Sequence, residues 1–296
     1  MVMQRMDSRI KKYQKENSLR NEDNVISLLL LSLLEEKIFF PLSMPPDEIQ
    51  SLIHSLLPFD GWINSSGKAD PTPDYYNPDQ RLMMEVMCVS HYHHEDDKHH
   101  LHSPGDINIS RSIEELCNAD LETADWFFQH NNIVKSSFSS DVDLPHSYRQ
   151  YVDSFTRVVS KHIDEIGTYR NNHPGYKLIF LIYDDSTLYR VKGSNPSDEI
   201  CYHDALFDES FNRVIRDADI EMIIWLSPFK FTLDDDFRDC ISFYNPHHKI
   251  DTVQYQESSL EPIDFPRNKR LVVLWTEDDD MLQRHILLED VSSNEF

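Results

Sequence analysis

The feature that most constrains the fold is an apolar run of strand length, KLIFLIY at 177–183, that follows a long amphipathic segment. An almost unbroken apolar run of this length predicts a strand that is buried on both faces. The preceding segment, 148–166, carries its apolar residues at helical spacing, so we expect a helix that packs across the sheet containing this strand. Asp184 and Asp185 follow the strand, where they either form a site at its end or begin a turn.

Helical and strand-like patterns alternate along the rest of the chain. Helices are predicted at 18–36, 47–57, 112–129 and 209–217, and strands at 59–64, 80–90, 220–226 and 270–275. This mixed order predicts an α/β fold with a central mixed β-sheet flanked by helices. Since no clean linker interrupts the pattern, the chain is expected to fold largely as one unit. It would comprise a basic arm at 1–20, a core at 21–190, and an extension at 191–296 packed on the same unit.

Composition argues against several classes of protein. There are six glycines, and neither GxGxxG nor GxxxxGK[ST] occurs, which disfavours Rossmann-type dinucleotide binding and P-loop chemistry. The longest apolar run, 25–34, is interrupted by Ser27 and Ser32 and is too short to span a bilayer, so no membrane association is expected. The four cysteines form no CxxC pair, which predicts reduced thiols in a cytoplasmic protein.

The net charge of −24 bears directly on the choice of partner. Residues 1–20 carry +4, so the remaining residues carry −28. Such a field repels phosphate backbones at long range and disfavours nucleic acid as a partner. The basic arm either contacts nucleic acid locally or is a solvated terminus. The charge also favours an alternative function, that of a non-enzymatic interaction or regulatory protein whose acidic surface binds a basic protein partner.

Two carboxylates lie among the first predicted strands. A Pro73-Asp74 pair precedes Glu85 by eleven residues, and Glu85 lies inside the strand-like segment 80–90. With the order helix, strand, strand, helix, strand, this pattern resembles the common core of the PD-(D/E)XK nucleases, the group that includes many restriction enzymes. The resemblance extends over residues 18–183. It implies a restriction-endonuclease-like core with C-terminal additions.

The resemblance further implies phosphodiester hydrolysis at a metal centre. Mg²⁺ or Mn²⁺ bound by Asp74 and Glu85, with the Val86 carbonyl as a third ligand, would neutralise phosphoryl oxygens and lower the pKa of an attacking water. Members of the family often add a Glu from the first helix, where this chain has Glu22. The implied catalytic set is therefore Glu22, Asp74 and Glu85. Each residue also has a simpler interpretation. Glu22 would interact with the dipole of its helix, Asp74 would be a turn residue, and Glu85 would lie on the solvent side of its strand.

The chain departs from the family pattern at the motif lysine, which is replaced by Met87. A thioether can neither carry charge nor donate a hydrogen bond. Replacement cations could come from Lys68, Lys98 or Lys161, although Lys161 lies about 120° from the centre of the apolar stripe of its helix. The resemblance therefore implies either a nuclease with a displaced cation or a catalytically silent relative that still binds a metal.

A histidine-rich segment, HYHHEDDKHHLH at 91–102, offers an alternative metal site. Imidazoles and carboxylates are ordinary Zn²⁺ ligands, so a zinc-binding protein organised by this segment is a further alternative. The segment is otherwise a mobile polar loop, or it supplies a base or ligand to the nearby carboxylates. His162, inside the apolar stripe of 148–166, is interpreted as a hydrogen-bonded core residue. The candidate Zn²⁺ ligands are Cys88, His91, His93 and His94.

Overall fold

The structure is a computed structural model that describes a little over half of the chain. The described residues are 22, 25–26, 29, 33, 39–41, 45–56, 61–65, 72–89, 94–95, 101–102, 134–139, 147–184, 189–191, 201–227, 240–262, 269–278 and 281–290. The chain divides into a smaller unit of residues 1–24, 93–145 and 264–296, and a larger unit of residues 25–92 and 146–263. The expected boundaries after residues 20 and 190 stay predictions.

The strands and helices with defined bounds are numbered in chain order. The strands are β1 (Phe39–Pro41), β2 (Ile63–Asn64), β3 (Tyr75–Asn77), β4 (Leu82–Val89), β5 (His94–Glu95), β6 (Leu101–His102), β7 (Val134–Ser139), β8 (Lys177–Asp184), β9 (Tyr189–Val191), β10 (Cys201–Tyr202), β11 (Met222–Ser227), β12 (Cys240–Tyr244), β13 (Leu260–Pro262), β14 (Lys269–Asp278) and β15 (Met281–Asp290). The helices are α1 (Pro46–Leu56), α2 (Tyr148–Asn172) and α3 (Glu209–Ile215).

The larger unit is built on a seven-stranded mixed sheet with the order β1-β12-β11-β8-β4-β3-β2. Strands β2, β3 and β4 are antiparallel neighbours, whereas β4, β8 and β11 run parallel to one another. The predicted α/β fold with a central mixed sheet is therefore confirmed. So is the expectation that the strands near 82–89 and 177–183 lie in one sheet, because Glu85 pairs with Phe180 in the ladder.

Burial explains why β8 occupies the middle of this sheet. Every residue from Leu178 to Asp184 is buried, so the strand is covered on both faces, as its apolar run predicts. Helix α2 covers one face, as expected. Its apolar stripe shares a core cluster with alternate residues of the parallel strands: Met83, Met87, Tyr151, Phe155, Val159, Ile166, Tyr169, Leu178, Phe180, Ile182 and Trp225.

Helix α2 begins where the sequence predicts and ends later. Ser147 caps its first turn by accepting a hydrogen bond from the Gln150 amide at 3.2 Å. We expected it to end at Gly167, but it continues to Asn172. One exposed glycine costs a helix only about 1 kcal/mol. Burying Tyr169, which is 1% exposed, on the same stripe outweighs that cost.

The other predicted helices agree with the structure where it describes them. Within 18–36, the described residues Glu22, Val25, Ile26, Leu29 and Leu33 are helical, and the four apolar ones are buried. The segments 47–57 and 209–217 correspond to α1 and α3. The predicted helix 112–129 lies outside the described residues. Of the helices in the described part of the chain, none is long and apolar enough to cross a membrane.

Two smaller sheets and a hairpin complete the described strands. In the smaller unit, β7, β14 and β15 form an antiparallel sheet, and β14 contains the predicted strand 270–275. The histidine-rich segment, expected to be entirely loop, contains the antiparallel pair β5 and β6. In the larger unit, β9 lies between β10 and β13. Of the predicted strand 59–64, the described extended residues are Ile63 and Asn64.

Candidate metal site on the central sheet

Asp74 and Glu85 are held together on neighbouring antiparallel strands. Tyr75 pairs with Met84 in the ladder, which places the preceding Asp74 beside Glu85. The Asp74 amide donates to Glu85 Oε2 at 3.2 Å, and the Val86 amide donates to Asp74 Oδ2 at 2.8 Å. Each of these contacts joins a side chain to a backbone amide, and the approach of the two carboxyl groups to each other stays a prediction. They lie inside the sheet rather than at its edge, since β2 continues the sheet beyond β3.

The turn that carries Asp74 is fixed by Ser65, the residue that follows β2. The Ser65 amide donates to the Asp74 carbonyl at 2.7 Å, and its hydroxyl donates to the Pro73 carbonyl at 2.5 Å. Thr72 donates its hydroxyl back to the Ser65 carbonyl at 3.1 Å. Ser65 is only 1% exposed, so its polar atoms depend on these partners. The Pro-Asp turn is thereby anchored against the sheet, and Asp74 with it.

Helix α2 brings three more polar side chains to Glu85. His162, Glu165 and Tyr169 are spaced by three and four residues, which places them on one face of the helix. His162 Nδ1 lies 2.6 Å from Glu85 Oε1 and 3.5 Å from Glu165 Oε2. The Tyr169 hydroxyl donates to Glu165 Oε2 at 2.7 Å. We call Glu85, His162, Glu165 and Tyr169 the Glu85 cluster.

Solvent exposure increases across the Glu85 cluster, from the sheet to the helix. The side chains of Glu85, His162 and Glu165 are 5%, 15% and 30% exposed. Burial raises the pKa of Tyr169, and the nearby Glu85 charge and the hydrogen bond to Glu165 raise it further, so its phenol remains a neutral donor. Within the described part of the chain, His162 is the only basic side chain that pairs with Glu85 or Glu165. Two carboxylates therefore share one imidazole.

This composition suits a divalent cation. Glu85, His162 and Glu165 each offer one ligand atom, and these atoms all lie within 4.8 Å of one another. Carboxylate oxygens and imidazole nitrogens are both common ligands of divalent metals. The three side chains could therefore close around one ion from a strand and a helix.

The structure also places the residues considered for the missing cation. Met87 is 2% exposed and belongs to the apolar core, so the motif-lysine position is occupied by a packed side chain. Lys161 is exposed on α2, in agreement with its angular offset from the apolar stripe. Lys68 and Lys98 lie outside the described residues. Among the described side chains, no lysine or arginine forms an ion pair with Glu85.

The remaining candidate ligands stay predictions. Glu22 is helical and partly buried, and it belongs to the smaller unit. Cys88 lies in β4 and is partly buried, and the alternation of the strand directs it away from the face that carries Glu85. His94 lies in β5, whereas His91 and His93 are outside the described residues.

Sequence reasoning missed the part that α2 contributes. His162 was expected to be a hydrogen-bonded core residue, and it is hydrogen-bonded, but its partner is the candidate ligand Glu85 and its side chain reaches solvent. The available signal was the spacing of His162, Glu165 and Tyr169 along one face of a helix predicted to cross the sheet. That spacing does not show which strand residue the face will meet.

A second polar cluster lies against the first half of α2. His203 Nε2 is 2.7 Å from Asp208 Oδ2, and the Tyr148 hydroxyl donates to the same oxygen. The Ser210 amide donates to Asp208 Oδ1 at 2.8 Å, so Asp208 also caps α3. Burial alone would raise the pKa of Asp208, but the hydrogen bonds from His203 and Tyr148 outweigh it and lower the pKa.

Asp184, considered as a strand-end site, belongs to this same region. The Tyr151 hydroxyl donates to Asp184 Oδ2 at 2.5 Å, and Trp225 Nε1 donates to the same oxygen at 3.1 Å. Asp184 is fully buried, so it joins α2 to β8 and β11 from inside the core. Asp185 lies outside the described residues. We call Tyr148, Tyr151, Asp184, His203, Asp208 and Trp225 the sealed cluster.

Comparison of the chain with family models, curated proteins and solved structures found no match. The chemistry of the site therefore has to be inferred from its own residues. Those residues are two carboxylates joined across β3 and β4, and a histidine and a third carboxylate brought by α2.

Proposed function

We propose that the chain is a restriction-endonuclease-like protein that binds a divalent metal through Asp74 and Glu85 and cleaves plain DNA weakly or not at all. The observation that carries this proposal is a pair of hydrogen bonds between the two segments, from the Asp74 amide to Glu85 Oε2 and from the Val86 amide to Asp74 Oδ2. The order of elements supports it. Strands β2, β3 and β4 form an antiparallel meander, α2 follows, and β8 returns parallel to β4. The succession of strands, helix and strand is the order that the resemblance to the PD-(D/E)XK nucleases implies.

The residues at this position fit a hard divalent cation such as Mg²⁺ or Mn²⁺. Two carboxylates on adjacent strands, with the Val86 carbonyl beside them, offer the oxygen ligands that such ions prefer. A bound ion would neutralise charge on phosphoryl oxygens and lower the pKa of a nearby water. The protein's own contribution is rigidity, because Ser65 fixes the turn of Asp74 and His162 orients the buried Glu85.

The packing of Met87 supports weak or absent cleavage. In the related nucleases the lysine at this position steadies the nucleophile and the developing charge. Here the side chain fills the core under α2 and carries no charge. The net charge of −24 further disfavours binding of a phosphate backbone.

Asp74→Ala tests the metal site. A ligand that binds only the native state at about 100 times its dissociation constant adds about 2.7 kcal/mol to the free energy of unfolding. Mg²⁺ or Mn²⁺ should therefore raise the melting temperature of the wild type by several degrees, and Asp74→Ala should remove that shift. Without metal, the variant should lose about 1–3 kcal/mol, because the Val86 amide loses its acceptor.

Asp79→Ala is the matched control, since Asp79 is an exposed carboxylate in the turn between the same two strands. It should keep the full metal-induced shift in melting temperature. A wild type that does not respond to either ion, or an Asp74→Ala variant that responds like the wild type, would rule out this metal site.

Catalysis is tested separately with Met87→Lys, which restores the motif cation. Because Met87 is buried, melting must first show that the variant folds. A folded variant that gains metal-dependent cleavage of DNA, and loses it again when Asp74→Ala is added, would show an otherwise complete nuclease site. A folded variant that remains inert would show that the scaffold is not arranged for phosphodiester cleavage.

A second candidate function is a non-enzymatic interaction protein that binds a basic partner. The net charge of −24 favours it, as does the apolar environment of Met87. Salt-sensitive binding of a basic polypeptide, measured on a protein that shows no metal response, would favour this function over the metal-binding one. Equal binding at low and high salt would count against it.

A further inference from the structure

We propose that α2 completes a transition-metal site, in which Glu85 of the sheet shares one Mn²⁺-, Co²⁺- or Zn²⁺-class ion with His162 and Glu165. This inference rests on the proposed binding of a metal by Glu85. It goes beyond that proposal by assigning two ligands to the helix and by assigning the class of metal. Neither helix residue belongs to the carboxylate motif that the sequence suggests.

The distances between the ligand atoms fit a single small ion. Zinc ligands lie about 2.1 Å from the metal, so two of them in a tetrahedron are about 3.4 Å apart. His162 Nδ1 and Glu165 Oε2 are 3.5 Å apart, close to that value. His162 Nδ1 and Glu85 Oε1, at 2.6 Å, are in hydrogen-bond contact and would have to separate slightly. Because all three ligand atoms lie within 4.8 Å of one another, rotation of the side chains is enough to bring them around one ion.

The ligand types determine which metal is preferred. Mg²⁺ favours oxygen ligands in nearly ideal octahedral geometry and gives up its waters reluctantly. An imidazole nitrogen favours first-row transition ions instead. A site with one histidine and two glutamates should therefore bind Mn²⁺, Co²⁺ or Zn²⁺ more tightly than Mg²⁺. The His162–Glu165 spacing of three residues places both ligands on one side of the helix, as in known helical metal sites.

The residues around the ligands are arranged to orient them. The Asp74 amide holds Glu85 Oε2, which directs Oε1 toward His162. On the other side, Tyr169 donates to Glu165 and is itself buried against the sheet, with 1% of its surface exposed. Such outer hydrogen bonds fix the orientation of metal ligands. The 30% exposure of Glu165 places the outer side of the cluster in contact with solvent.

The full chain is titrated with Mn²⁺, Co²⁺ and Mg²⁺. Binding is measured by calorimetry and, for Co²⁺, also by visible absorption. Because the histidine-rich segment is an alternative site for such ions, the titrations use a background in which all six of its histidines are replaced by serine: His91, His93, His94, His99, His100 and His102. We expect one ion per chain and at least tenfold tighter binding of Mn²⁺ and Co²⁺ than of Mg²⁺. His162→Gln removes a direct ligand and should weaken Mn²⁺ and Co²⁺ binding by at least the roughly 10- to 100-fold that loss of an outer partner produces, and it should change Mg²⁺ binding much less.

Two further variants make the outcome decisive. Glu165→Gln, which keeps the shape of a side chain that is 30% exposed, should weaken Co²⁺ binding at least tenfold. His54→Gln, an exposed histidine on α1, should change nothing. An unchanged Co²⁺ affinity in either His162→Gln or Glu165→Gln would overturn the inference.

The same titrations separate the inference from the proposed function. If Asp74→Ala abolishes binding of every ion while His162→Gln leaves the Mn²⁺ to Mg²⁺ preference unchanged, the proposed function stands and the helix ligands are wrong. If His162→Gln abolishes Co²⁺ binding while Asp74→Ala has no effect, the helix site stands and the paired-carboxylate site is wrong. If none of these ions binds to the wild type, both are wrong.

Discussion

The two polar clusters on α2 face the same sheet, yet they differ in how their carboxylates are satisfied. In the sealed cluster, the side chains of His203 and Asp208 are 2% and 0% exposed. Three donors converge on Asp208, from His203, Tyr148 and the Ser210 amide. In the Glu85 cluster, exposure rises to 30% at Glu165, and two carboxylates share one imidazole.

The difference distinguishes a structural network from a candidate site. A buried carboxylate that receives several hydrogen bonds contributes to the fold and has little capacity for a ligand. Glu85 and Glu165 each receive two of the donors described above, and Glu165 is in contact with solvent, so both keep lone pairs that can coordinate a cation. Charged residues under one helix can therefore have opposite roles. Exposure and the number of donors, rather than residue type, decide which role each takes.

The largest expected effect is on the sealed cluster. Asp208→Ala leaves His203 and the Tyr148 hydroxyl buried without their shared acceptor, and it removes the cap of α3. Breaking a buried pair of this kind typically costs about 3–5 kcal/mol in the free energy of unfolding. Urea unfolding followed by circular dichroism measures this loss. Asp217→Ala, at a carboxylate that is 95% exposed, should change stability by no more than about 0.5 kcal/mol.

A loss below about 1 kcal/mol in Asp208→Ala would break the comparison, because this cluster would then be no more structural than an ordinary hydrogen-bonded pair. The comparison would also fail if Asp208→Ala removed the metal-induced shift in melting temperature. That result would place a metal site in the cluster that we infer to be purely structural.

The pH dependence of stability should follow Asp208 of the sealed cluster on the acid side and the buried tyrosines on the alkaline side. The pKa of Asp208 is lowered, so the stability it contributes is present above its ordinary value of 3.8 and is lost as the pH falls through the lower native value. Burial raises the pKa of Tyr148, Tyr169 and Tyr189 above their ordinary value of 10.0. Their contribution is complete below pH 10 and is lost as the pH rises through the higher native values.

Unfolding free energies measured across the pH range, with tyrosinate absorbance followed on the alkaline side, check this expectation. Asp208→Asn should reduce the loss of stability at acid pH, and Tyr148→Phe should reduce the loss at alkaline pH. If both variants show the same pH dependence of stability as the wild type, other groups are responsible for it.

The parts of the fold that could be predicted are those with a strong local pattern. The apolar run at 177–183 and the stripe of 148–166 each specify an element and the face it buries, and their packing against each other follows. The end of α2 could not be predicted, because Tyr169 offsets the cost of Gly167 through tertiary burial. Short strands such as Phe39–Pro41 and Cys201–Tyr202 depend on the strands they pair with rather than on their own pattern.

The candidate site was predictable in its sheet residues and not in its helix residues. The spacing of Asp74 and Glu85 fits a hairpin, and the register of β3 and β4 brings them together. The position of His162 on its helix could be read from the sequence. Its contact with Glu85 depends on the height at which α2 crosses β4, and no local pattern encodes that distance.

The smallest and sharpest test compares two tyrosines on α2 that each donate one hydroxyl to a carboxylate. Tyr151 donates to the fully buried Asp184, whereas Tyr169 donates to the partly exposed Glu165. Tyr151→Phe should cost about 1.5–3 kcal/mol, the usual contribution of a buried hydrogen bond to a charged group. Tyr169→Phe should cost about 0.5–1.5 kcal/mol, because water can replace the hydroxyl at Glu165. Equal losses, or a reversed order, would contradict the distinction between the clusters.

The same pair of variants should respond in opposite ways to metal. Because Tyr169 orients Glu165, Tyr169→Phe should weaken Mn²⁺ or Co²⁺ binding by about tenfold, the lower end of what loss of an outer hydrogen bond produces at a metal site. Tyr151→Phe removes a hydroxyl that donates to Asp184 rather than to one of the three proposed ligands, so it should leave the affinity unchanged despite its larger effect on stability. Calorimetric titration of both variants measures this directly. If both variants weakened binding in proportion to their loss of stability, the effect on metal would be a consequence of a looser fold, and Tyr169 would have no orienting role.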